Sequence, residues 1–164
     1  MKRKLIPTLL VAGLVATAAA TPVAAANGTP PGDASGGGTL ENYCSFDVGF
    51  TLTGKSKLIT KPNGQRIITS PGQRITLTAN GKTLSYVITG TRFESDVQVN
   101  GETITEVKVT GRNILTNPIG VSVRPGLFLV VGNFNYALDA AGEEVRVFNA
   151  NGPGKVTDVC QALS

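Results

Sequence analysis

Leu127-Phe128-Leu129-Val130-Val131-Gly132-Asn133-Phe134-Asn135-Tyr136-Ala137-Leu138 is the most apolar run outside the N-terminus. From Leu127 to Val131 both alternating faces are apolar, so a strand here is buried on both sides. After Gly132 the pattern changes. Phe134, Tyr136 and Leu138 share one face, and Asn133 and Asn135 point the other way. Gly132 stands where the two regimes meet, which predicts a bulge or a sharp bend. The rest of the chain reads as shorter, half-polar strands packing against this one.

Outward from that run the signals are strands and turns. Phe46, Val48, Phe50 and Leu52 alternate with polar residues and glycine, as do Ile75, Leu77 and Ala79, then Leu84, Tyr86 and Ile88, then Thr103, Thr105, Val107 and Val109. Asn63-Gly64, Asn80-Gly81, Asn100-Gly101 and Asn151-Gly152 punctuate these runs. Asn-Gly suits the positive φ angles of a type I′ turn, so successive runs are antiparallel neighbours. Asp139 to Gly142 turns the chain toward Val145 and Val147. No segment after the N-terminus has a useful 3.6-residue period. The expected class is all-β, a single antiparallel domain over 41–164. An up-and-down β-barrel is slightly preferred over a two-sheet β-sandwich.

The two cysteines, Cys44 and Cys160, lie near the ends of that domain. In an exported chain an even pair reads as a disulfide. It would tie the first and last strands together and remove the exposed edges. Export follows from residues 1–26. Lys2-Arg3-Lys4 is a basic start, Leu5 to Ala20 is apolar, and Ala24-Ala25-Ala26 supplies a small-residue cleavage pattern. This is a signal peptide, shorter in its apolar part than a spanning helix. The expected location is secreted, with no stable membrane insertion after cleavage. Residues 27–40, rich in Gly and Pro, read as a flexible linker. Three of the 15 cations lie in the signal peptide and none of the 11 acids, so the remainder carries 12 against 11. That balance gives no basis for nucleic-acid binding.

The chain has no histidine. This removes Ser-His-Asp and Cys-His nucleophilic sites and the usual zinc centres. No catalytic residue, metal ligand or cofactor is assigned. A glycan hydrolase needs two facing carboxylates. Its candidates are Glu94, Asp96, Glu102, Glu106 and Asp158, whose simplest reading is a solvated face. Gly49 to Ser56 fits the P-loop pattern, but its residues alternate like a strand and Pro62 forbids a long following helix. Asp139 to Glu144 lacks calcium-loop spacing.

Two binding features are expected. If the barrel encloses a cavity, Phe46, Phe50, Phe128, Phe134 and Tyr136 are its candidate apolar lining, although a filled core uses the same residues. Leu52-Thr53-Gly54-Lys55, Ile88-Thr89-Gly90-Thr91-Arg92 and Val109-Thr110-Gly111-Arg112 echo one another. They read as strand-end turns or bulges. A sharper reading gathers Lys55, Arg92 and Arg112 at one rim as an anion site.

With the signal peptide, the motifs Ile88-Thr89-Gly90-Thr91, Thr110-Gly111-Arg112-Asn113, Gly132-Asn133-Phe134 and Asp158-Val159-Cys160 resemble a family of small secreted proteins of actinobacteria. The resemblance runs from about Cys44 to the C-terminus. It implies export and one compact domain, and it carries over no catalytic residue. Three functional classes stand: a non-enzymatic β-domain binding a small apolar ligand or a surface partner, a carboxylate-based enzyme (glycan hydrolase or barrel isomerase), and a structural cell-surface protein.

Overall fold

A computed structural model describes residues 29–149 and 152–164. Residues 1–26, read as a signal peptide, lie outside the described residues. The expected class holds: the described chain is strands paired antiparallel throughout, in two sheets.

The smaller sheet has four strands, β2 (Gly36–Leu40), β3 (Val48–Thr53), β6 (Arg74–Ala79) and β7 (Lys82–Val87), in the order β2-β3-β6-β7. The larger sheet has eight, β1 (Gly32–Asp33), β4 (Lys55–Thr60), β5 (Arg66–Thr69), β8 (Thr91–Val99), β9 (Glu102–Asn117), β10 (Gly126–Leu138), β11 (Glu144–Arg146) and β12 (Lys155–Asp158). Its path runs β1-β4-β5-β8-β9-β10-β11, with β12 also on β10. Asn80 and Gly81 take φ of 51° and 73°, and Asn100 and Gly101 take 53° and 87°, so both hairpins turn as their dipeptides dictate.

The sheets are not closed into a barrel, which corrects the preferred architecture. The reason lies at the two cysteines. Cys44 and Cys160 are bonded, but neither is in a strand. Cys44 lies in the segment between β2 and β3, and Cys160 in a short helix α1 (Val159–Leu163). The bond therefore ties a loop to a helix, and β12 docks on β10, pairing Phe128 with Asp158 through Val131 with Lys155. The helix is a second correction. Asp158 caps it by accepting from the Gln161 amide at 2.9 Å, and Val159 and Leu163 are buried beneath it. Asn80 Nδ2 and Lys82 Nζ donate to the Leu163 and Ser164 carbonyls, tying its end to the β6–β7 turn. A third correction falls on residues 27–40. The part read as flexible linker holds β1 and β2, and Gly36 to Leu40 pair residue by residue with Leu52 to Val48.

From Leu127 to Val131, β10 packs on both sides, as its sequence requires. Leu127 and Leu129 join one core, with Val48, Ile75 and Leu77 of the small sheet and Val159 and Leu163 of the helix. Phe128, Val130, Phe134 and Tyr136 join the other, with Val107, Val109, Leu115 and Phe148. Asn133 and Asn135 are exposed.

The bend expected at Gly132 is present and sharp. Phe128 and Phe134 are six positions apart, about 20 Å along a straight strand. Yet both rings pack edge-on against Phe148, at centroid distances of 5.4 and 6.0 Å. The β9–β10 ribbon must fold over between them. The hinge is the facing pair Gly111 and Gly132, both with positive φ. A β-carbon on Gly132 would stand 2.9 Å from the Gly154 Cα, so β12 seats only against a glycine. Gly90 lies across from the same hinge. Its amide donates to the Arg112 carbonyl at 2.8 Å, and a β-carbon there would sit 2.5 Å from that oxygen. Thus the repeated Thr-Gly steps at 89–90 and 110–111 mark the fold-over.

Candidate functional site

The fold-over makes one face of the large sheet concave. Between its two arms is a cavity of about 500 Å³. Leu115 and Asn117 line it from one arm, Tyr136 and Leu138 from the other. Arg92 of β8 stands beside Tyr136, and the turn carrying Glu143 and Glu144 closes one end. Tyr43, from the segment before the disulfide, and Val121, from the β9–β10 loop, complete the wall.

Register fixes the Arg92 side chain on this face, because Arg92 is opposite Val109 and Val109 is opposite Phe134. Its guanidinium carbon lies 5.8 Å from the Tyr136 ring centroid, within cation–π range. Arg92 Nε is 2.6 Å from Glu94 Oε1, yet its N–H is not aimed at that oxygen and the buried nitrogen has no hydrogen-bond partner. Glu94 is instead engaged by Arg66, whose Nε donates to Oε2 at 2.8 Å. Arg66 also makes a two-pronged contact with Asp96, at 2.9 and 3.0 Å. This binding holds the Asp96 carboxyl below its ordinary range, and the Thr105 hydroxyl adds to it.

Burial pushes the Tyr136 phenol up; Arg92 opposes that shift, and Glu94 and Glu144 reinforce it. The phenol is therefore a hydrogen-bond donor at neutral pH. Burial likewise pushes Glu144 up, with the Phe148 amide and Arg124 opposing. Asn117 donates to the Arg124 carbonyl at 2.9 Å and reaches Glu144 Oε2 at 3.4 Å.

Glu144 yields a pH prediction. Its folded pKa lies above its unfolded one, so ionisation opposes folding above the folded value. That penalty vanishes below the unfolded value near 4.5. Glu144→Gln should therefore raise the melting temperature at pH 7 and leave it unchanged near pH 3. A loss of stability at pH 7 would show that the carboxylate makes a contact the amide cannot replace.

Of the five aromatics expected to line a cavity, Tyr136 is in the wall of this one. Phe46 and Phe50 pack against the core under the small sheet, and Phe128 and Phe134 are held by Phe148. The three cations expected at one rim are not together. Arg92 is on the concave face, whereas Arg112, opposite Val131, points from the other face. Lys55 lies at the far edge of the sheet, opposite Asp33. The carboxylates named for a hydrolase have other work. Glu94 and Asp96 hold Arg66, Glu106 pairs with Arg146, and Asp158 caps the helix. Glu102 is exposed.

Glu143, Glu144, Asn117 and Phe148 are the residues sequence reading missed. Of Val145 and Val147, the run read after the turn, Val145 is 53% exposed and Val147 packs at the margin of the core, while Phe148, at 2%, is the side chain buried there. A smaller cavity of about 330 Å³, bounded by Phe93, Glu106 and Asn135, lies on the opposite face of the same sheet. No three acidic or cysteine side chains among the described residues cluster as metal ligands. No described helix is long and apolar enough to cross a membrane. Comparison of the chain with protein-family models, with curated proteins and with solved structures finds no match.

Proposed function

We propose that this protein is a secreted, non-enzymatic β-domain that carries a small ligand in the cavity between the folded arms. The single observation behind this reading is that cavity. Its size falls within the range of about 300–1,000 Å³ usual for small-molecule sites, and its walls mix apolar side chains with a few polar ones. The disulfide is compatible with an extracellular location. The occupied state of Glu94, Asp96, Glu106 and Asp158 favours binding over carboxylate catalysis. A ligand of wholly apolar character suits the site less well than expected, because Arg92, Glu143 and Glu144 are in its wall.

One observation favours a second reading, attachment to a cell-surface component. Ile119, Val121 and Val123 are 49%, 49% and 80% exposed on the loop between β9 and β10.

Native mass spectrometry of the protein purified from its host separates these readings. A native mass above the denatured mass by a fixed small increment is expected, and equal masses would argue against a carried ligand. The denatured mass should also reveal cleavage of the signal peptide and the two missing hydrogens of the disulfide.

A further inference from the structure

The charges facing the cavity restrict what it can hold. Arg92, the one of them on the β8 side of the wall, belongs to a connected group with Arg66, Glu94 and Asp96 that has two charges of each sign. Within that group Arg92 is the least satisfied. Its Nε lacks a hydrogen bond, and the carboxylate it approaches is already held by Arg66. A half-buried guanidinium whose Nε–H lacks an acceptor is a ready partner for an incoming carboxylate, which a guanidinium can grip with two parallel bonds.

The turn at the end of the cavity has the opposite sign. Glu143 and Glu144 both line it, and Arg124, which acts electrostatically on Glu144, stands over the Phe148 ring at 5.5 Å. A simple anion would meet two carboxylates, and a simple cation would meet Arg92. A ligand carrying both charges avoids each conflict. Tyr43 and Tyr136 add aromatic wall between the charged ends.

We infer that the cavity binds a small amino carboxylate, a free amino acid or a very short peptide, with its carboxylate on Arg92 and its ammonium group toward Glu143 and Glu144. The inference rests on the reading of the cavity as a ligand site. The Tyr136 hydroxyl and the Asn117 side chain are further polar groups positioned to orient such a ligand.

The test is calorimetric titration of the purified protein with each of the common amino acids and their homodipeptides. The tightest binder is then compared with its C-terminal amide, its N-acetyl form, and an analogue lacking both charges. Binding at least tenfold weaker for the amide and for the N-acetyl form is expected. Arg92→Gln should lose the same tenfold toward the free amino acid and nothing toward its amide. Arg92→Lys serves if the glutamine variant does not fold, and it should show a smaller loss of the same kind. Equal binding of the doubly uncharged analogue overturns the amino-carboxylate assignment while the cavity still counts as a ligand site. No binding by any amino acid or dipeptide overturns it too, and the native mass increment then decides whether the cavity reading survives.

Discussion

Replacing both Cys44 and Cys160 by alanine is expected to lower stability by on the order of 5 kcal/mol, read as a fall in Tm of roughly 15–20 °C. The bond spans 116 positions, so opening it releases nearly the whole domain in the unfolded state. By the chain-entropy argument, long loops gain most from closure. Alanine is the right replacement because Cys44 is 7% exposed within the core beside Val48 and Val159, where a serine hydroxyl would be buried. Adding reductant to the native protein should give a similar fall, which separates the lost tie from the lost sulfur packing. The release should be felt first at the C-terminus. A helix of five residues has no stability of its own. It is held by the disulfide, the Asp158 cap and the burial of Val159 and Leu163. Hydrogen exchange should therefore quicken at Gln161 to Ser164 before the β9–β10 ladder opens. Thermal melts that agree within two or three degrees with and without reductant would mean the tie does little to restrict the unfolded chain.

The parts of this fold that could be read in the sequence are those specified locally. Asn80-Gly81 and Asn100-Gly101 dictate their hairpins through backbone preference alone. Leu127 to Val131 has no polar face to show to water, so its burial on both sides follows from composition. The unread parts depend on partners distant in sequence. Gly36-Gly37-Gly38 carries no side-chain signal and resembles a linker, yet its backbone completes the small sheet against Phe50 and Leu52. The helix is too short to show a period, and it exists because a cap and a disulfide meet there. Barrel and open sheets differ only in which edges meet, and β12 settles that by choosing β10.

The candidate site was legible in part. Arg92 and Tyr136 stood out, but as members of a rim and of an apolar lining, and nothing in either local pattern brings them to one cavity. Their meeting depends on pairing across β8, β9 and β10. Glu143 and Glu144 follow a turn glycine with no local signal of a site; only the folded ribbon brings their turn to the cavity.

That ribbon is the basis of the second large effect, expected for Gly132→Ala. The residue has φ of +126°, a region in which a non-glycine residue is strained by about 1–3 kcal/mol. The added methyl would also lie 2.9 Å from the Gly154 Cα, a backbone atom that cannot step aside like the end of a side chain. Yielding would push β12 away from Val131, next to the hinge, and open the ladder that seats the C-terminal helix. The combined loss should reach about 3–4 kcal/mol, in the range of core substitutions. Gly64→Ala isolates the conformational part, since Gly64 has φ of +82° and nothing within 4 Å of its would-be β-carbon. It should lose only about 1–2 kcal/mol. A denaturant series on both variants measures the difference. Equal losses would show that the close approach of β12 to the hinge contributes nothing beyond the φ requirement. The same substitution should reach the cavity, because Leu115 and Tyr136 line it from opposite arms and their spacing is set by the fold-over. Gly132→Ala should thus weaken ligand binding under conditions where the protein is still folded, whereas Gly64→Ala should leave binding intact. The bend that buries Phe148 is then also the element that shapes the site.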